Sequence, residues 1–206
     1  MRKKRDAEGT KATVLASAEQ LFAEYGFHGT SLATVAEASG ISDGLILYHF
    51  KSKEGLYQAV LNAVSKRYSA VLDSARDDSL PPAAMLRRAL EAMFEFWRTD
   101  ETYHRITLWS YLEGHTAPTT SEAQLTTGLA TYMANLQAEG HFPADIDPVV
   151  FLSAIIGPVQ FWLRYKANFT EILQLEGSRE ELDRRFLQQL IGMLERFFPP
   201  PPGEEA

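Results

Sequence analysis

Apolar residues in the first quarter of the chain recur at helical spacing. Val14, Leu15, Ala18, Leu21, Phe22 and Tyr25 fall on one stripe, and Gly26 supplies the left-handed residue that ends the helix. After a turn over residues 27–30, Ser31 caps a short second helix with Leu32, Val35 and Ala36 inward, and Gly40 terminates it. Ser42 then caps a third helix. Asp43 sits against the positive end of that helix, and Ile46 and Phe50 face inward. Two short helices around a tight glycine turn form a helix-turn-helix. In that layout the second helix lies in the DNA major groove and the first crosses the backbone.

The same periodicity continues beyond residue 53, with almost no strand alternation. It predicts a long helix over 53–73, in which Leu56, Val60, Ala63, Val64, Val71 and Leu72 link the first module to the rest of the chain. Pro81 and Pro82 open a helix that runs to Arg98, and further helices cover 102–113, 121–139 and 147–166. Pro118, Gly140 and Pro143 mark the breaks. The fold class is therefore all-α. A three-helix helix-turn-helix domain occupies 1–52 and a larger helical domain 53–198, and the proline run of 199–202 with its acidic neighbours makes 199–206 a disordered tail.

Charge changes the picture only once it is located. The 206 residues carry a net charge of -7, which argues against a polyanionic partner. Residues 1–53, however, hold 7 Lys and Arg against 6 Asp and Glu, and the rest hold 13 against 21. A basic footprint thus survives at both ends of the first module, in Arg2, Lys3, Lys4, Arg5 and Lys11 and again in Lys51 and Lys53. The Arg2 to Arg5 run either reaches along DNA as an arm or is simply solvated, and solvation is favoured. There is no cysteine, which excludes disulfides, thiolate metal sites and thiol nucleophiles. No signal-peptide core comes after the basic start and no uncharged stretch approaches a membrane span, so a soluble cytoplasmic protein with no membrane partner is expected.

The stretch from Ala16 to Lys53 resembles the TetR family of transcriptional regulators. It matches an alanine-rich first helix ending in Leu21-Phe22, then Gly26-Phe27, Thr30-Ser31, Ala38 with Gly40-Ile41-Ser42-x-Gly44, and a closing Phe50-x-Ser52-Lys53. The match is ordered and without gaps. The resemblance implies backbone-phosphate contacts at Thr30 and Ser31, a phosphate anchor at Lys53, and approach to bases or phosphates by Ser42, Asp43, Leu45, Tyr48 and His49. Leu45 stands where the family usually has Thr, and Leu47 where it has a phosphate-binding Tyr. An outward Leu45 would meet a thymine methyl, the one apolar group of the major groove, with core packing as the alternative. Core packing is favoured for Leu47, while His49 is divided between a phosphate contact and a partly buried ring.

The resemblance also implies that the second domain binds a ligand and dimerises. Pockets between helices are largely apolar with a few convergent polar groups, which makes Trp97, Arg105, Trp109, Tyr132 and Trp162 candidate lining residues, each also a candidate for ordinary packing. An apolar or amphipathic effector, such as a fatty-acyl or aromatic compound, suits that composition, with Arg105 or Arg98 meeting an anionic end. The segment around Phe151, Ile155 and Val159 is apolar nearly all round, and the last helix adds Leu187, Leu190, Ile191 and Leu194. In the family these two helices form the homodimer interface.

The expected function is a repressor that binds a palindromic double-stranded operator as a dimer and is released by its effector, with an effector-assisted activator as the alternative on the same fold. Gly40-Ile41-Ser42-Asp43-Gly44 also spells the nucleophile elbow of serine hydrolases, but that elbow needs a preceding strand, and here a helix precedes it. No enzyme activity or cofactor is expected. No metal site is expected either, because His104 and His115 would lie roughly 16 Å apart on one helix.

Overall fold

The computed structural model describes residues 2–115 and 117–198; the tail expected over 199–206 and the side chains of Arg2 to Arg5 lie outside the described residues. Among these residues the secondary structure is helical, with no strand. In order the helices are α1 (Arg2–Gly29), α2 (Leu32–Ser39), α3 (Asp43–Phe50), α4 (Lys53–Ala75), α5 (Pro82–Thr99), α6 (Glu101–Leu112), α7 (Thr120–Ala138), α8 (Pro148–Ile172) and α9 (Arg179–Leu194), with a 3-10 turn (Glu195–Phe197) at the end.

Packing divides the chain into two units. One comprises residues up to 69 together with 100–123, and the other residues 70–99 together with those from 124 on. In the first unit Val14, Ala18 and Phe22 of α1 are fully buried with Val35 of α2, Ile46 of α3, and Leu56, Val60 and Val64 of α4. In α1 and α4 their spacing by fours is the apolar stripe that a helix turns toward a core. Tyr25 departs from its expected inward place and is 49% exposed, because the helical path breaks at the next residue. Gly26 has φ 72° and ψ -176°, and a Cβ there would lie 2.9 Å from the Trp109 ring. Conformation and close approach both require glycine at that position.

In the second unit Leu90, Met93 and Phe94 of α5 meet a core shared with α8 and α9. Phe142, Phe151 and Phe198 form an aromatic cluster, and the Trp162 ring stacks on Phe186 at 4.8 Å. Asp183, 5% exposed, accepts from the Trp162 indole at 2.8 Å and from Lys166 at 2.6 Å. A buried carboxylate is tolerated there because both of its oxygens are engaged.

Most of the residues expected at a dimer interface face the core of their own unit in the single chain. Phe151, Ile155, Val159, Leu190, Ile191 and Leu194 are buried within their own unit, and Leu187 is half-buried. The outward face of α8 instead carries Val150, Ala154, Gly157, Phe161 and Tyr165. A helix apolar all round reveals its two apolar faces but not which of them meets its own core. For the same reason α8 qualifies, by length and composition alone, as long and apolar enough to cross a membrane, although Arg164 and Lys166 interrupt its uncharged run.

Gly55 sets the approach of α4 to α3. A Cβ on it would lie 2.0 Å from the Phe50 carbonyl oxygen. Gly55→Ala should therefore lower unfolding free energy by about 1–3 kcal/mol in denaturant titrations, although alanine is the better helix former. Unchanged stability would mean that the two backbones have room to part.

Candidate nucleic-acid interface

The helix pair α2–α3 is built from local capping. The Ser31 hydroxyl accepts from the Thr34 N–H, and the Thr34 hydroxyl oxygen accepts in return from the Ser31 N–H, both at 3.1 Å. This reciprocal box satisfies orphan donors at the helix start. Gly40 closes α2 with φ 68°, as its position after the last periodic residue predicts. Ser42 has the extended backbone of a cap, and its carbonyl accepts from Leu45 and Ile46, but its hydroxyl makes no capping bond. It opens a helix that comes directly after another helix. The strand required by a nucleophile elbow is absent among the described residues.

Ile46 and Phe50 fix α3 to the core and leave its other side bare. Asp43, Gly44, Leu45, Leu47 and Tyr48 are exposed, with Tyr48 at 69%, and His49 is half-buried beside the Tyr48 ring. Leu47, expected to pack inward, is 41% exposed. Lys51, at φ 72°, ends the helix and donates from Nζ to the Tyr48 carbonyl at 3.0 Å. Lys53 Nζ stands 4.3 Å above the Phe27 ring. Ser31 is exposed, whereas Thr30 is 3% exposed and its hydroxyl donates to the Gly26 carbonyl at 2.9 Å. Thr30 thus holds the turn before α2 from inside.

The end of α1, just before the helix pair, is fastened from α6, more than eighty residues away in sequence. Arg105 donates from Nε to the Ala23 carbonyl at 2.8 Å. Glu113 accepts from the Phe27 N–H at 2.7 Å and from the His28 N–H at 2.9 Å, a span of 86 residues for the first. Arg67 of α4 joins Glu19 of α1 at 2.8 Å and Asp100, which caps α6, at 2.9 Å. Charge meets the backbone with the correct sign at each end of the break: a cation on the carbonyls that close the helix and a carboxylate on the amides beyond it. His115 continues the contact, its ring 4.5 Å from Phe27 and 5.1 Å from Tyr57. Periodicity carried no signal for Glu113 or Arg67, because neither lies on an apolar stripe.

The expected ligand residues are divided between the two units. Arg105 is spent on α1, Trp109 packs against Gly26, and both belong to the first unit. Trp97, Tyr132 and Trp162 belong to the second, with Trp97 buried and Trp162 bonded to Asp183. A cavity of about 220 Å³ in the first unit is lined instead by Leu61, Thr107, Ser110, Tyr111, His115 and neighbouring residues up to Glu122.

Glu113→Ala would strand the Phe27 and His28 amides and should cost about 1–3 kcal/mol of stability by thermal or denaturant melts. No loss would remove Glu113 from the fastening. Burial pushes the Tyr57 phenol up from 10.0 to about 12, with the Glu113 charge adding to the rise. The folded chain therefore holds that proton more tightly than the unfolded chain does. The stability this confers is complete below pH about 10 and is lost as pH climbs toward about 12. Denaturant melts across that window should fall less steeply for Tyr57→Phe than for the native chain; parallel curves would contradict the assignment.

Residues 14–60 match the family model described as bacterial regulatory proteins, tetR family. The HTH-type transcriptional regulator RutR of Escherichia coli K12 is 39% identical over 84 residues, covering 41% of this chain and 40% of that protein. The chain thus spans less than half the length of that relative. TtgR of Pseudomonas putida, also an HTH-type transcriptional regulator, is 25% identical over 179 residues, covering 79% of this chain and 84% of TtgR. Among solved structures, a TetR family transcription regulator from Marinobacter aquaeolei superposes with a TM-score of 0.71 at 19% identity, covering 96% of this chain and 98% of that one. Residues 14–60 are thus similar to the DNA-binding domain of tetR-family regulators, and the chain as a whole shares the fold of the solved regulator.

Proposed function

We propose that the chain is a repressor that binds a palindromic operator as a homodimer and leaves it when a small apolar or amphipathic molecule binds. The observation that carries this reading is the bare outer side of α3 on a capped and fastened helix pair. Residues 1–52 read DNA through Ser31, Ser42, Asp43, Leu45, Tyr48 and His49, with Lys53 just beyond them and Thr30 acting by position. Residues 53–198 sense and dimerise.

A palindrome demands two recognition helices about one helical turn, roughly 34 Å, apart, so a second copy is required. The exposed stripe Val150, Ala154, Gly157, Phe161 and Tyr165 is the surface we assign to it, joined by Met193 of α9, which is 61% exposed. A partner on this stripe accounts for the apolar length of α8 without a membrane. The cavity beside His115 mixes Leu61 and Ala117 with Thr107, Ser110 and Glu122, which suits a small amphipathic effector. A molecule seated there would adjoin the Glu113 contact, and a coupling of about 1–3 kcal/mol would weaken operator binding about 5- to 150-fold.

Electrophoretic mobility shift with the DNA flanking the protein's own gene tests the core of the reading. Specific, salt-sensitive retardation is expected; its absence at any promoter fragment would count against it. Phe161→Asp should yield a folded monomer by sedimentation, with operator affinity reduced at least about tenfold because dimer contacts no longer couple the two half-sites. A dimer that persists in this variant would move the interface elsewhere.

A further inference from the structure

The recognition helix lacks the side chains that usually read bases. Asp43–Phe50 reads Asp-Gly-Leu-Ile-Leu-Tyr-His-Phe, without Arg, Lys, Asn or Gln. Those four make the bidentate hydrogen bonds to guanine and adenine edges. With about 100° of turn per residue, the direction opposite Ile46 and Phe50 falls on Tyr48, flanked by Gly44 and Leu45. Tyr48 is the most exposed at 69%, Leu45 is 38% exposed and Leu47, farther round the helix, 41%, and a Cβ added to Gly44 would meet nothing within 4 Å. The centre of the face is therefore an apolar ridge, Leu45 beside Tyr48, next to a residue with no side chain. Asp43 stands at one end of it. Lys51 and Lys53 stand past the other end, where cations suit phosphates. Exposed leucines are unfavourable in water, and their natural counterpart in the major groove is the thymine methyl.

We infer that α3 reads its operator chiefly through thymine methyl groups, with Leu45 and the Tyr48 ring as the residues that determine specificity. This rests on the DNA-binding reading of the helix pair. It predicts half-sites with thymines under the middle of α3 and specificity that comes from apolar contact, where hydrogen-bonded readout would be blind to the methyl.

The test takes the full chain, selects duplexes from a random-sequence pool, and resynthesises the selected operator with deoxyuridine for thymine, which removes only the C5 methyl. Native protein should lose about fourfold in affinity for each methyl it contacts. Leu45→Ala, whose fold is checked by its melting curve, should bind more weakly and show a smaller thymine preference, by one methyl per half-site. Tyr48→Phe should keep the native preference. Equal binding of the two duplexes by the native chain, or a full preference retained by Leu45→Ala, overturns the inference while leaving DNA binding intact. Failure to select any duplex overturns the DNA-binding reading and this one with it.

Discussion

The first unit depends on how α6 holds the end of α1. A helix that stops at Gly26 exposes carbonyls on one side of the break and amides on the other, and both sets need partners when water is excluded. Arg105 and Glu113 supply them from a single helix and the residue after it, and the Trp109 ring occupies the space that only a glycine leaves open. Arg67 ties α1, α4 and the cap of α6 together with two carboxylates. Hydrogen bonds to charged groups are worth more than neutral ones, so these contacts firmly hold the end of α1 from which the turn to α2 departs.

With its inner side committed to Ile46 and Phe50, α3 has no structural use for its outer side chains. The helix is short and carries no Arg, Lys, Asn or Gln, so in the proposed reading what it chiefly offers a duplex is shape and apolar contact. The link to regulation is physical proximity. His115 touches Phe27 and Tyr57 while it lines a cavity, and Glu113 is two residues away. In the proposed mechanism a change of occupancy in that cavity reaches the reading helix through packed rings and one carboxylate, without crossing the second unit.

Much of the first unit was legible because its determinants are local. Caps at Ser31 and Gly40, the break at Gly26 and the inward pair Ile46 and Phe50 are each set by residues within one or two turns. What was hidden depends on distant residues or on a choice between equivalent faces. Glu113 and Arg67 act across long sequence separations and leave no periodic trace. Phe151, Ile155 and Val159 lie on a stretch of α8 that is apolar nearly all round, where composition could not decide which side meets its own chain. The aromatic residues of the middle segments misled for a similar reason, since a ring that fills a core and a ring that lines a pocket look alike in sequence. Thr30 resembled a contact residue by position, and only its burial assigns its hydroxyl to the turn.

The most direct test of the proposed function is hydroxyl-radical footprinting of the full chain on DNA from its own promoter. A dimer that presents two α3 helices should protect the backbone in short tracts on one face of the duplex, centred about one helical turn apart. Protection of a single tract, or a uniform salt-sensitive coating without discrete tracts, would contradict it.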